Sequence, residues 1–252
     1  MSAKSPPTLR RWRFGARSSW PGGICALLAL LSWSQAPAQP AKPVVHVFVQ
    51  VDAKSSALEK SLQQQLPELS ITVFSRYRDL EDANVTARPD GLLAITPVLL
   101  QRGKKPCLQG TRGGKDQEPW LLVSVGNPLE GSLSGKTIGA VDVMGRDGTQ
   151  TFVAGLLKTQ DVKVKRVAKS DDLLPLLEFN AADAILIPRS SLARLIERTQ
   201  LAIKSKEVPG GPVGLPAVAV FNETSKDAVI KAFTGLDGAT KKLLGIEAWS
   251  TR

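Results

Sequence analysis

The chain alternates between short apolar runs rich in valine and isoleucine and longer segments in which leucine recurs every fourth position. The first pattern suits strands buried on both faces, the second helices with one inward stripe. Val44 to Val51 is the clearest strand, and Asp52 to Ser56 turns from it into a helix carrying Leu58, Leu62 and Leu66, stopped before Pro67. Ile71–Phe74 and Gly91–Thr96 read as further strands. Residues 76–90 are polar and give no clear period, and a short apolar segment follows Pro97. The Arg-, Lys- and Gly-containing stretch before Trp120 reads as an exposed, hairpin-like excursion that delivers the strand Trp120–Val125.

A second, similar set begins with the stretch from Leu133 to Leu157. Thr137–Val141 is small and apolar, as a buried strand should be. Phe152, Val153, Leu156 and Leu157 then lie on one helical face, and a polar glycine-containing turn joins the two. Such a strand–turn–helix directs unpaired N–H groups and the positive end of the helix dipole at whatever lies above the turn. Val162–Val167 and Ala184–Ile187 are expected strands. Ser170 is placed to cap a short helix over Asp171–Phe179, and Leu192, Leu195 and Ile196 mark the inward face of another. The tail repeats the alternation through Leu201–Ile203, Pro216–Phe221 and helices over 225–233 and 239–244, with Trp249 docking the end. Strands alternating with helices over these distances predict an α/β fold of two Rossmann-like lobes with parallel βαβ units.

Charge is unevenly spread. Of a formal +10, five positive charges (Lys4, Arg10, Arg11, Arg13, Arg17) precede the apolar run Ile24–Leu31, and no acid occurs before Asp52. That run is too short to span a bilayer. It is followed by Ala36-Pro37-Ala38, so residues 1–38 read as a secretory signal cut after Ala38, by the general or the twin-arginine route, placing the protein in the periplasm or outside the cell. Cys25 lacks the small-residue context of a lipidation site. The remaining chain is mildly basic without a dense Lys/Arg tract, which argues against nucleic acid as a partner. It keeps one cysteine, Cys107, so its stability must come from a core.

Catalytic chemistry is sparse. His46, the only histidine, lies in a strand and reads as a core residue, and no Gly-x-Ser-x-Gly elbow accompanies it. No His/Cys set with metal-ligand spacing exists, and no cofactor is implied. Gly131 to Thr137 falls one residue short of a phosphate loop and precedes a strand rather than a helix. Asp171 and Asp172 suit a helix's first turn without catalysis. Candidate ligand-binding groups are the polar residues at strand ends: Ser55 and Ser56 after the first strand, Thr96 after the third, Thr149 and Thr151 at the start of the second-lobe helix, and Arg189 after Ile187-Pro188.

Leu133-Ser134-Gly135-Lys136-Thr137-Ile138-Gly139 resembles the L-x-G-K-x-[IV]-[GA] strand that opens the second lobe of periplasmic substrate-binding proteins of the phosphate, phosphonate and sulfonate type. Asn180-Ala181-Ala182-Asp183-Ala184 resembles their G-x-A-D-A segment. Val208–Pro212 resembles their return to the first lobe, and Lys242–Trp249 their C-terminal end. The resemblance implies two α/β lobes (39–124 with 199–252, and 125–198) joined by crossings near 125–129 and 199–204. It implies a monomer that closes over a small polar or anionic ligand and delivers it to an ABC permease, with no catalysis. The anion turn of that family falls on Arg146, Gly148, Thr149, Gln150 and Thr151 here, with Asp147 among them to repel an anion. A zwitterion, a polyol or a cofactor fragment therefore stays open beside an anion. A degenerate member acting as an envelope sensor or interaction module is the alternative.

Overall fold

The computed structural model describes residues 41–50, 54–127, 129 and 131–252. The segment expected to be a secretory signal, with Cys25, and the expected turn residues Asp52 and Ala53 lie outside the described residues. The chain runs β1 (Val44–Phe48), α1 (Ser55–Gln65), β2 (Ser70–Val73), α2 (Tyr77–Thr86), β3 (Gly91–Ile95) and α3 (Thr96–Gln101). Next come β4 (Leu108–Thr111), β5 (Gln117–Glu118), β6 (Trp120–Val125), β7 (Thr137–Val141), α4 (Gly145–Leu157) and β8 (Lys163–Val167). It continues through α5 (Leu173–Glu178), β9 (Ala184–Pro188), α6 (Leu192–Glu197), β10 (Ile203–Glu207) and β11 (Val213–Gly214). The last elements are β12 (Pro216–Val220), α7 (Lys226–Thr234), α8 (Gly238–Leu243) and β13 (Ala248–Thr251).

These elements form two mixed sheets on one plan. The first has the order β13-β4-β12-β3-β1-β2 and the second β10-β6-β9-β7-β8. In each, three strands run parallel (β2-β1-β3 and β8-β7-β9), and the strand beside the third is antiparallel to it. That antiparallel strand comes from a distant part of the chain in both cases, which is why parallel βαβ units alone do not describe the sheets. Burial explains the composition. Val45, Val47, Leu93 and Val218 lose almost all exposure in the first sheet, as do Ile138, Ala184 and Ile185 in the second. The edge strands β8 and β10 instead carry Lys163, Lys165, Lys204 and Lys206, charges that oppose further strand pairing.

Between the sheets, β5 and β11 pair antiparallel, Val213 opposite Glu118 and Gly214 opposite Gln117. This two-stranded ribbon carries both chain crossings. The crossings therefore fall near 117–119 and 208–213 rather than near 125–129 and 199–204, because β6 and β10 pair with each other and belong to the second sheet. Four further expectations change. The stretch before Trp120 holds a buried strand, β4, pairing with β12 and β13, and residues 112–115 form a turn after it. Residues 77–86 form a helix, with Tyr77 and Leu80 buried. Ile196 is 53% exposed rather than inward, and Ser170 begins a 3-10 turn that makes no side-chain cap. None of the described helices is long and apolar enough to cross a membrane.

The motifs behind the resemblance meet one another. Asp183 accepts hydrogen bonds from Thr137 N–H at 2.8 Å and from Lys136 Nζ at 3.2 Å. The glycine–lysine turn before β7 and the Ala-Asp-Ala segment before β9 are thus stapled at the start of adjacent strands. Those backbone and lysine contacts hold the Asp183 carboxyl below its ordinary range despite partial desolvation. Their role is structural.

Candidate functional site

Two regions lie where strand ends of the two sheets face each other, and they differ in kind. The first surrounds the start of α4. Met144 and Gly145 turn the chain from β7 into the helix, Gly145 with φ of +72°, a conformation that glycine adopts without steric cost. Tyr77 of α2 lies over that turn, 3.3 Å from where a Cβ of Gly145 would sit. Gln101 of α3 covers the next residues. A Cβ at Gly148 would collide with its amide and stand 2.8 Å from Met144 Cβ. Tyr77 also meets Phe48 edge-on at 5.8 Å, with the Arg102 guanidinium 5.8 Å from its ring centre and ion-paired to Glu81. Leu99 and Ala94 of the first lobe share one buried apolar cluster with Val141, Met144 and Ile187 of the second. This half of the junction is filled by the protein's own side chains.

The second region is open. A cavity of about 490 Å³ lies beside the hinge ribbon, within the range that small-molecule sites occupy. The first lobe contributes Gln50, Ile95, Leu215 and the α8 segment with Lys242 and Leu243. The second contributes Trp120, Leu173, Leu174, Ser190, Arg194 and Arg198. Most of these residues follow the carboxyl ends of parallel strands, where open α/β sheets place ligands.

Charged groups tie this region together. The Glu118 carboxylate, in the hinge ribbon, accepts from Arg112 Nη1 at 3.2 Å and from the Ser190 N–H at 3.3 Å. One carboxylate thereby holds a residue of each lobe. Arg112 also donates to the Gly245 carbonyl after α8. Asp171 accepts from Arg194 at 3.2 Å and from Arg198. A smaller cavity of about 210 Å³ adjoins through Gln50, Ser170, Asp171 and Arg194, and includes Lys54, Ser55 and Lys169.

The residues expected from sequence to bind ligand are scattered over these regions. Ser55 lines the smaller cavity, whereas Ser56 is exposed on α1 outside both cavities. Thr96 donates to Gln109 Oε1 at 3.0 Å and to the Leu215 carbonyl at 3.2 Å, which fastens the start of α3 to β4 and to the residue that leads into β12. Thr149 is fully buried. Its hydroxyl accepts from Met144 N–H at 3.1 Å and donates to Asp142 at 3.0 Å, closing the turn into α4. Gln150 donates to the Val162 carbonyl at 2.9 Å. Gly148 lies under Gln101, while Arg146 and Thr151 are exposed and line neither cavity. Arg189 is exposed and ion-paired to Glu207. Arg112, Glu118, Trp120, Arg194, Arg198 and Lys242 were not singled out. The i, i+4 pair Arg194 and Arg198, just after a strand end, was the available signal.

His46 is buried on β1, its Nδ1 2.9 Å from Asn84 Oδ1 of α2, with Phe74 edge-on at 4.9 Å. Burial lowers its pKa, the Asn84 contact raises it and nearby Arg102 lowers it again, leaving it below the ordinary value of 6.5. It is a neutral packing residue away from both cavities. No cluster of three or more His, Cys, Asp or Glu suited to a metal occurs among the described residues.

By sequence the chain matches no family model and no curated protein. By structure it is similar to the substrate-binding protein of an amino acid ABC transporter (17% identity, TM-score 0.54, covering 80% of this chain and 97% of that one). It is similar also to XAC2383 from Xanthomonas citri bound to ATP (13%, 0.56, 83% and 91%). The periplasmic VFT2 domain of BvgS from Bordetella pertussis gives 14% identity, a TM-score of 0.51 and coverage of 81% and 93%. The fold is that of type II periplasmic binding proteins, two α/β lobes on a hinge. Since one of these structures serves amino acid transport and another holds ATP, the fold leaves the ligand open.

Proposed function

We propose that the chain is an exported binding protein that captures a small ligand between its lobes and delivers it to an ABC-type transporter. The observation that carries this reading is the cavity of about 490 Å³ beside the hinge, with walls from both lobes. Glu118 supports it, because its contacts to Arg112 and Ser190 require the lobes to be close together. A ligand touching both walls adds contacts made only in that closed state and shifts the hinge toward it. Phosphate or phosphonate selectivity is no part of the proposal, since Tyr77 and Gln101 cover the helix start that would hold a tetrahedral anion.

Thermal melting of the purified chain against amino acids, sulfonates, phosphonates, carboxylates and vitamins tests this reading. A cognate ligand at about a hundred times its Kd adds about 2.7 kcal/mol, a rise of about 5 °C or more for a domain of this size. A flat response across the panel contradicts it. The alternative, an envelope module that binds a protein, draws support from the half of the junction already filled by side chains. It gains if no small molecule shifts the melt and the neighbouring genes encode a sensor kinase and no permease.

A further inference from the structure

We infer that the ligand is an aliphatic monocarboxylate, its hydrocarbon body against the leucine-rich walls and its carboxylate met by Arg198 and Lys242. This rests on the reading of the hinge-side cavity as the binding site and adds the chemical class.

Leu173, Leu174, Leu186, Leu215, Leu243 and Leu244 all line the cavity. They make the greater part of the cavity wall apolar, and a polar group set against that part would leave water without a hydrogen bond in return. A hydrocarbon body gains from the same walls. Trp120 is the one aromatic among the lining residues described, and Phe152 already engages it edge-on at 5.4 Å. Stacking of a sugar or nucleobase therefore lacks a platform.

The charge that remains favours an anion. Among the described lining residues, Arg112 and Arg198 are ion-paired to Glu118 and Asp171, and Lys242 adds a further cation. Lys242 makes no ion pair with a described carboxylate and is the cation left to meet a ligand's charge. A planar carboxylate suits the Arg198 guanidinium geometrically, and the Ser170 and Ser191 hydroxyls supply further donors.

The test is calorimetric titration of the full chain with butanoate, hexanoate and octanoate, alongside octanamide, arginine, inorganic phosphate and glycerol. Affinity should rise about fourfold per added methylene, the equivalent of about 0.8 kcal/mol, and octanamide should bind at least tenfold more weakly than octanoate. Arg198→Gln should weaken octanoate and leave octanamide unchanged. Leu243→Arg, at a side chain 37% exposed and so tolerant of exchange, should weaken the whole series. Affinity independent of chain length, equal binding of octanamide, or indifference to Leu243→Arg overturns the inference. If arginine, phosphate or glycerol binds and the alkanoates do not, the inference falls and the binding reading stands. If nothing binds, both fall.

Discussion

The two halves of the junction between the lobes are built from the same material, the carboxyl ends of parallel strands, and differ in what fills the space. At the start of α4, Tyr77 and Gln101 reach across from the first lobe and close on two glycines that leave room for them. Beside the hinge, serines, arginines and leucines surround a cavity instead. A helix start facing a partner lobe is thus not in itself a binding site. Its N–H groups and dipole offer a ligand nothing where neighbouring side chains already occupy the approach.

Substitutions on the filled half should cost stability, in graded amounts. Tyr77→Ala should have the largest effect, about 3 kcal/mol, because it removes a buried ring that contacts Phe48, Arg102 and the Gly145 turn. Urea denaturation measures it, and a change below 1 kcal/mol would mean that the ring does not join the lobes. Gly148→Ala should cost about 1–3 kcal/mol through overpacking against Met144 and Gln101. Adding Gln101→Ala should recover part of that loss, and a double-mutant cycle without coupling would show the two residues to be independent.

Thr149→Val should cost about 1–3 kcal/mol by leaving the Met144 N–H and Asp142 without the buried hydroxyl. It should leave ligand affinity unchanged, whereas a tenfold loss of affinity at constant stability would return Thr149 to the binding site. The smallest effect concerns acid. The folded chain holds His46 neutral below its usual pKa of 6.5, while the unfolded chain takes up the proton. Stability should therefore be full above about pH 6.5 and decline as the pH falls below it. Equilibrium denaturation from pH 8 to 5 should show that decline, and His46→Gln should flatten the part it contributes.

The lobes were legible because buried central strands have a strong local signature, and Val44–Phe48, Gly91–Ile95, Trp120–Val125 and Ala184–Ile187 all carry it. β4 was not. It reads Leu-Gln-Gly-Thr, its glutamine and glycine buried by β12 and β13, which arrive more than 100 residues later. The crossings were misplaced for the same reason, since only the pairing of β6 with β10 reveals which sheet each joins. Polar residues at strand ends lie where open α/β sheets place ligands, and one of them, Ser55, lines the smaller cavity. Sequence does not say that the Thr96 and Thr149 hydroxyls are already hydrogen-bonded within the fold. Nor does it bring Arg112 of a loop, Glu118 of the hinge and Lys242 of a late helix to one cavity.

Hydrogen–deuterium exchange with and without saturating ligand, using octanoate or whichever small molecule raises the melting temperature, compares the two halves directly. The account predicts new protection at residues 188–191 and 239–245, beside the cavity, and no change at the Gly145–Thr151 amides. Protection appearing first and most strongly at Gly145–Thr151 would contradict it.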